Sequence, residues 1–303
     1  MPAETRGKVN KRVDISIVLA LVAALFLTAA GPVQAVGGPS APSAGRSIED
    51  MAGIQAVNDL MERSGLNKQL RYYPEILLTN MAQVHRQKPQ FSNRDYRALS
   101  LMVAKAFNAD RMIDTVRNHI HTRLTVSDVQ AVLAWLNTPL GQRITRLEEE
   151  ASSPEALSER RRAAGAAEEP PDRVERIRRL DRAVRATDAA AGSAQNLQVA
   201  MLMAMTAAMN PDLRPTFDAV VAEARRRSEQ VRPVLEKRAF EQLQSIYRPL
   251  TNEEIDQYIL FAESESGKRY HAVVLPAVQE ATLNASRDLG TMIGKRMVKR
   301  TAP

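Results

Sequence analysis

The chain has 303 residues, no cysteine, and 42 Lys and Arg against 35 Asp and Glu, for a formal net charge of +7. Disulfide scaffolds and thiol chemistry are thereby excluded, and stability must come from a buried core, which a chain of this length can build. The basic excess is mild and interspersed, and no aromatic residues alternate with basic ones as they do where bases are stacked, so nucleic acid is not an expected partner.

At the N-terminus, Arg6, Lys8, Lys11 and Arg12 precede an uncharged apolar run from Ile15 to Ala30. That run is short of the roughly 20 residues that a membrane-spanning helix needs. Val33-Gln34-Ala35 then presents small residues where a signal peptidase reads them, which predicts a signal peptide over 1–35, cleavage after Ala35 and a periplasmic protein. The alternative is an uncleaved inner-membrane anchor over 15–30, with the Gly-, Pro-, Ser- and Ala-rich residues 36–46 as a flexible linker. No Cys follows the apolar run, which excludes lipoprotein modification.

Helical period continues along the rest of the chain. Ser47 with Asp50 forms a capping box ahead of Ile48, Met51, Ile54, Val57 and Leu60, and a second helix is predicted from Leu66 to Val84. A loop from Arg86 to Phe91 contains Pro89. Ser92 with Asp95 then caps a helix carrying Leu99, Met102, Val103 and Phe107, and Met112, Ile113, Val116 and Ile120 mark the next. Between Ala151 and Ala190, Arg160 to Arg162, Ala163 to Ala167 and Pro170-Pro171 leave few large apolar residues, which reads as an exposed charged linker entering a helix. Leu197 to Met209, Phe217 to Val221 and Val231 to Tyr247 continue the helical pattern.

Two segments repeat each other without a gap at an offset of 126 residues, one opening at Leu124-Thr125 and the other at Leu250-Thr251. Such a match points to a duplicated structural unit. Thr125 with Asp128, and Thr251 with Glu254, make the same capping box. The helices that follow carry Trp135 and Phe261 as aromatic plugs, and Thr138 and Ser264 then serve as fresh N-caps, with Pro139 in a first helical position where its missing N–H costs nothing. Gly141 and Gly267 recur where Ala would be the better helix former by about 0.8–1.0 kcal/mol, which indicates a backbone too close for a side chain. Arg143 and Arg269 recur as well, either to bind an anion with the helix N-terminus or to pair with a nearby acid. The expected fold is all-α, with two related amphipathic units, 47–151 and 191–303, each ending in a capped helical hairpin, joined by the linker and helix of 152–190.

The pattern of acid-rich helix start, aromatic residue, Ser or Thr, and Gly followed by Lys or Arg resembles the domain-of-unknown-function 2059 family (DUF2059) of exported bacterial proteins. It is carried by Leu124 to Leu147 and again by Leu250 to Val273, with Glu265 standing in the second copy where Pro139 stands in the first. The resemblance implies an all-α periplasmic protein without established chemistry and supplies no catalytic residues.

Catalytic constellations are correspondingly thin. His85, His119, His121 and His271 form no H-E-x-x-H, and His119 and His121 diverge on a helix. Gly267-Lys268 lacks the rest of a phosphate-binding loop, and no Gly-x-Ser-x-Gly elbow occurs. Met201, Met205 and Met209 line one side of a helix, as core, as an adaptable contact surface, or as soft ligands for copper. No metal or cofactor is expected. The leading expectation is a non-catalytic module that contacts an envelope protein through the Met-lined helix or the cleft between the units. The alternatives are a binder of anionic lipid headgroups using Arg143, Arg269 and the tail Lys295, Arg296, Lys299 and Arg300, peripheral to the membrane, and a hydrolase-type enzyme requiring an acid–histidine pair in a cleft.

Overall fold

The computed structural model describes residues 48–87, 92–153, 156, 169–208 and 216–301. The predicted signal peptide, the 36–46 linker, Ser47, Pro89, most of the charged stretch before Pro170, and Met209 lie outside the described residues. Within them every element is a helix: α1 (Ile48–Arg63), α2 (Leu66–Gln87), α3 (Asn93–Ala106), α4 (Ala109–Arg123), α5 (Val126–Leu136), α6 (Pro139–Ala151), α7 (Pro171–Val184), α8 (Ala186–Ala208), α9 (Phe217–Gln230), α10 (Arg232–Tyr247), α11 (Asn252–Glu263) and α12 (Glu265–Thr301). The all-α expectation is met.

Short polar side chains start these helices by accepting hydrogen bonds from otherwise orphaned backbone N–H groups. Ser92 accepts from Asp95 N at 3.1 Å, Asn108 from Arg111 N at 2.9 Å and Thr216 from Ala219 N at 3.2 Å. Between α1 and α2 the chain turns at Gly65, whose φ of 73° suits a residue without a Cβ. Between α7 and α8 the left-handed position is taken by Arg185 at φ 60°, and the Asp181 carboxylate spans the break to accept from Thr187 N at 2.8 Å.

The helices fill two main cores, and each core takes a helix from the far half of the chain. The first gathers Leu60, Met61, Val103, Met112, Val116, Ile120 and Val132 from α1, α3, α4 and α5, and is completed by Tyr270, Ala277, Ala281, Ala285 and Leu289 of α12. The second gathers Ile177, Leu180, Leu243, Tyr247, Ile255 and Ile259 from α7, α10 and α11, and is completed by Ile144 of α6, with Leu140 and Leu147 against it. The predicted units 47–151 and 191–303 thus exchange the second helices of their hairpins.

α12 is the longest element and runs antiparallel to α4, fixed by Arg111–Asp288 at 3.0 Å and His119–Glu280 at 2.7 Å. α8 runs parallel beside it. Ala189 meets Leu275, and the buried Asn196 Nδ2 donates to Gln279 O at 3.1 Å and Thr282 Oγ1 at 2.7 Å. Small residues let this pair approach closely. Pro171 to Val184, predicted as part of a charged linker and helix, is anchored on both faces. Ile177 and Leu180 are buried, while Arg176 pairs with Asp256 at 3.0 Å and Arg179 with Glu263 on α11.

A Cβ at Gly290 would lie 2.5 Å from Met203 Cβ and 2.8 Å from Ala200 O of α8. Gly290→Ala should therefore lower the urea midpoint, by about 1–3 kcal/mol of overpacking, although Ala is the better helix former.

Candidate functional site

The motif residues that the sequence singles out converge on one seam between the two hairpins. Each capping-box acid divides its two oxygens. Asp128 Oδ2 faces its own helix start, accepting from Thr125 Oγ1 at 2.7 Å and Thr125 N at 3.3 Å, while Thr125 Oγ1 accepts from Asp128 N at 3.1 Å. Glu254 does the same, with Oε2 accepting from Thr251 N at 2.8 Å and Glu254 N donating to Thr251 Oγ1 at 3.2 Å.

The other oxygen of each acid receives the arginine of the opposite hairpin. Arg269 Nε donates to Asp128 Oδ1 at 2.7 Å, joined by Ser266 Oγ at 3.3 Å. Arg143 donates to Glu254 Oε1 and also to Pro249 O at 2.7 Å. Since Arg143 with Arg269, and Asp128 with Glu254, stand at the same offset of 126 residues, the two ion pairs are reciprocal. Between them Trp135 stacks on Phe261, ring centroids 4.7 Å apart and 7° from parallel, and both rings pack against both cores. The two aromatic plugs close on each other.

The breaks that begin α6 and α12 are also matched. Thr138 Oγ1 donates to Trp135 O at 2.7 Å and accepts from Gly141 N at 3.0 Å; Ser264 Oγ donates to Phe261 O at 2.7 Å and accepts from Gly267 N at 3.1 Å. A Cβ at Gly141 would sit 2.3 Å from Trp135 O, and one at Gly267 2.0 Å from Phe261 O. The backbone that forbids a side chain is the end of the preceding helix, met where the chain folds back on itself.

Residues 110–169 match the family model described as Uncharacterized protein conserved in bacteria (DUF2059). The DUF2059 match is a single segment; it contains the first hairpin, and the second, from Leu250 to Val273, lies outside it. No curated protein and no solved structure matches the chain.

Beside the seam lies an acid that the sequence reading did not single out. Glu148, on α6 within the DUF2059 segment, accepts from Tyr247 Oη at 2.6 Å and Tyr258 Oη at 3.0 Å. Burial pushes its carboxyl above the usual range, against the two phenol hydrogen bonds, and raises both phenols as well. At the corresponding places of the other hairpin stand Val274, His121 and Val132, so the cluster exists on one side only. An acidic run at Glu148, Glu149 and Glu150 gave no periodic hint of which carboxylate turns inward.

The histidines are scattered. His119 makes an acid–histidine pair with Glu280, but neither residue lines the 510 Å³ cleft beside Lys68, Glu149 and Pro249 or the 370 Å³ hollow at Arg94. His85 stacks on Tyr96, and burial lowers His271 to about 4. Among the described residues no group of three His, Asp or Glu is placed to hold a metal ion. Met201 and Met205 lie on α8 with their side chains outside the description. Met203 packs with Val199, Val220 and Ala224.

Two measurements probe this geometry. Asp128 is 2% exposed against 24% for Glu254, so Arg269→Ala should lower stability more than Arg143→Ala, whose loss should be about 1 kcal/mol or less, in chemical denaturation at neutral pH. Arg269 holds Asp128 down at about 2, so its contribution is complete above the unfolded carboxylate value and is lost as pH falls toward about 2. His271 works in a higher window. It stays neutral in the fold down to about 4 while the unfolded chain binds a proton near 6.5, so stability should fall on acidification from about 6.5 toward 4. In thermal melts at pH 7 and 5, His271→Leu should shrink that loss.

Proposed function

We propose that this is an exported, non-catalytic helical module built from two copies of one hairpin, and that it acts through contact surfaces. The carrying observation is the reciprocal exchange of Arg143 and Arg269 between the capping boxes of the opposite hairpins. The polar residues of the repeat are satisfied by each other, so the pattern serves assembly of the fold and leaves no anion site on Arg143 or Arg269. The offset of 126 residues shared by caps, plugs, glycines and arginines supports duplication. Four cations, the apolar run to Ala30 and the small residues at Val33 to Ala35 support export. Among the described residues no helix is long and apolar enough to cross a membrane.

Contact with an envelope protein would use the Met-bearing end of α8, at Met201 and Met205, with Met209 beyond the described residues, or the exposed apolar Leu260 on α11. Photoreactive residues at Met205 and Leu260 in the exported protein, followed by mass spectrometry, test this. The expected result is one protein captured reproducibly at one position and lost when Met205→Asp or Leu260→Asp is introduced. Capture of self alone at both positions would refute the protein-contact reading.

A further inference from the structure

A different part of the surface has the charge and shape to meet a lipid bilayer. The solvent face of α3 carries Arg94, Arg97, Ala98, Leu101 and Lys105, which recur at three- and four-residue spacing. Leu101 is 72% exposed, the most exposed large apolar side chain among the described residues. It lines a 370 Å³ hollow with Arg94, Arg97, Ala98 and Arg296 of α12. An apolar residue projecting from a ring of guanidinium groups is the arrangement by which interfacial helices insert a side chain below the headgroups while cations hold the phosphates.

The electrostatics of this end are one-sided. Where α7 lies on α11 and where the hairpins cross, arginines are met by acids. Among the described residues neither Arg94 nor Arg97 has an ion-pair partner, and Asp95, the one acid of α3, accepts from the cap Ser92 Oγ at 2.9 Å and receives Arg296 at 3.2 Å. No acid follows Asp288 in α12, while Lys295, Arg296, Lys299 and Arg300 do. Leu101 sits inside this unneutralised field, whereas Leu260, 65% exposed, lies on the acid-bearing α11.

We propose that the α3 face, with Arg94, Arg97 and Leu101 at its centre and Arg296 at its edge, docks on an anionic phospholipid surface. The proposal rests on the contact-module reading and assigns one of its surfaces. Phosphate groups pair with the two free arginines, and Leu101 passes between them into the acyl boundary. Each cation near an anionic bilayer contributes about 1 kcal/mol, so removing two should weaken binding roughly thirtyfold.

The absence of cysteine allows a unique label. Leu101→Cys in the full chain, carrying a polarity-sensitive fluorophore, should shift to shorter wavelength on adding vesicles of equal phosphatidylglycerol and phosphatidylcholine. It should remain unchanged with phosphatidylcholine alone, and the titration should weaken about thirtyfold with Arg94→Ala and Arg97→Ala together. The same label at Leu260→Cys is the control for docking through any other part of the chain and should not shift. Circular dichroism of the double variant should match the parent, since both arginines are exposed. No shift at Leu101, an equal shift at Leu260, or a response undiminished by the arginine changes would overturn the proposal. Suppression of the vesicle shift by millimolar inorganic phosphate would assign the arginines to a free anion and overturn it too. The photocrosslink at Met205 is independent of α3, so a failure here leaves the contact-module reading standing, and a failure there leaves this surface standing.

Discussion

The structure depends on one carboxylate serving two helices at once. In each capping box the inward oxygen fixes the start of its own helix, and the outward oxygen takes the arginine that begins the other hairpin's second helix. A cap alone satisfies backbone N–H groups, and an exposed ion pair alone adds little. Coupling them means that the acid is already held by its own helix when the arginine arrives, so less side-chain freedom is lost in forming the pair. Trp135 and Phe261 stack on each other and pack against both cores. Position, charge and apolar contact therefore converge at the crossing, and the exchange of α6 and α12 between the two cores follows from it.

Local features were legible in the sequence. The helices, the capping boxes and the glycines at the breaks follow from residue type and spacing within four positions, the range over which helix chemistry acts. What was not legible lies at long range. Arg143 meets its acid 111 residues away and Arg269 meets its acid 141 residues away, and no local pattern distinguishes those acids from nearer ones. The same limit applies to α7. Its Arg-rich sequence has the composition of a solvated helix, and only the acids of α11, with Ile177 and Leu180 turned inward, make it part of the second core. An inward-facing Glu148 within an acidic run was invisible for the same reason.

The two sides of the seam are alike in the acid, the arginine and the aromatic plug that join them, and unlike just behind it. Glu148 with its two phenols stands where the other side has Val274, His121 and Val132. A buried carboxyl costs free energy unless its hydrogen bonds are made. Two tyrosines donate to it, where the other side has an exposed histidine and a buried valine. The likeness of the halves is thus concentrated at the seam, and their difference in its surroundings.

That difference bears on where activity would reside. The arginines of the repeat were the natural candidates for binding an anion, and the fold commits both of them to internal acids. A guanidinium already bonded to a carboxylate offers little attraction to a second anion, because the pair is close to neutral at the distances a ligand occupies. Cations count toward an external partner only where the fold has supplied no acid. By that criterion the arginines of the seam are electrostatically spent, while Arg94 and Arg97 of α3 are not. The same helix carries the most exposed large apolar side chain of the described residues. The two properties that an anionic bilayer selects for, uncompensated positive charge and a projecting apolar group, coincide there.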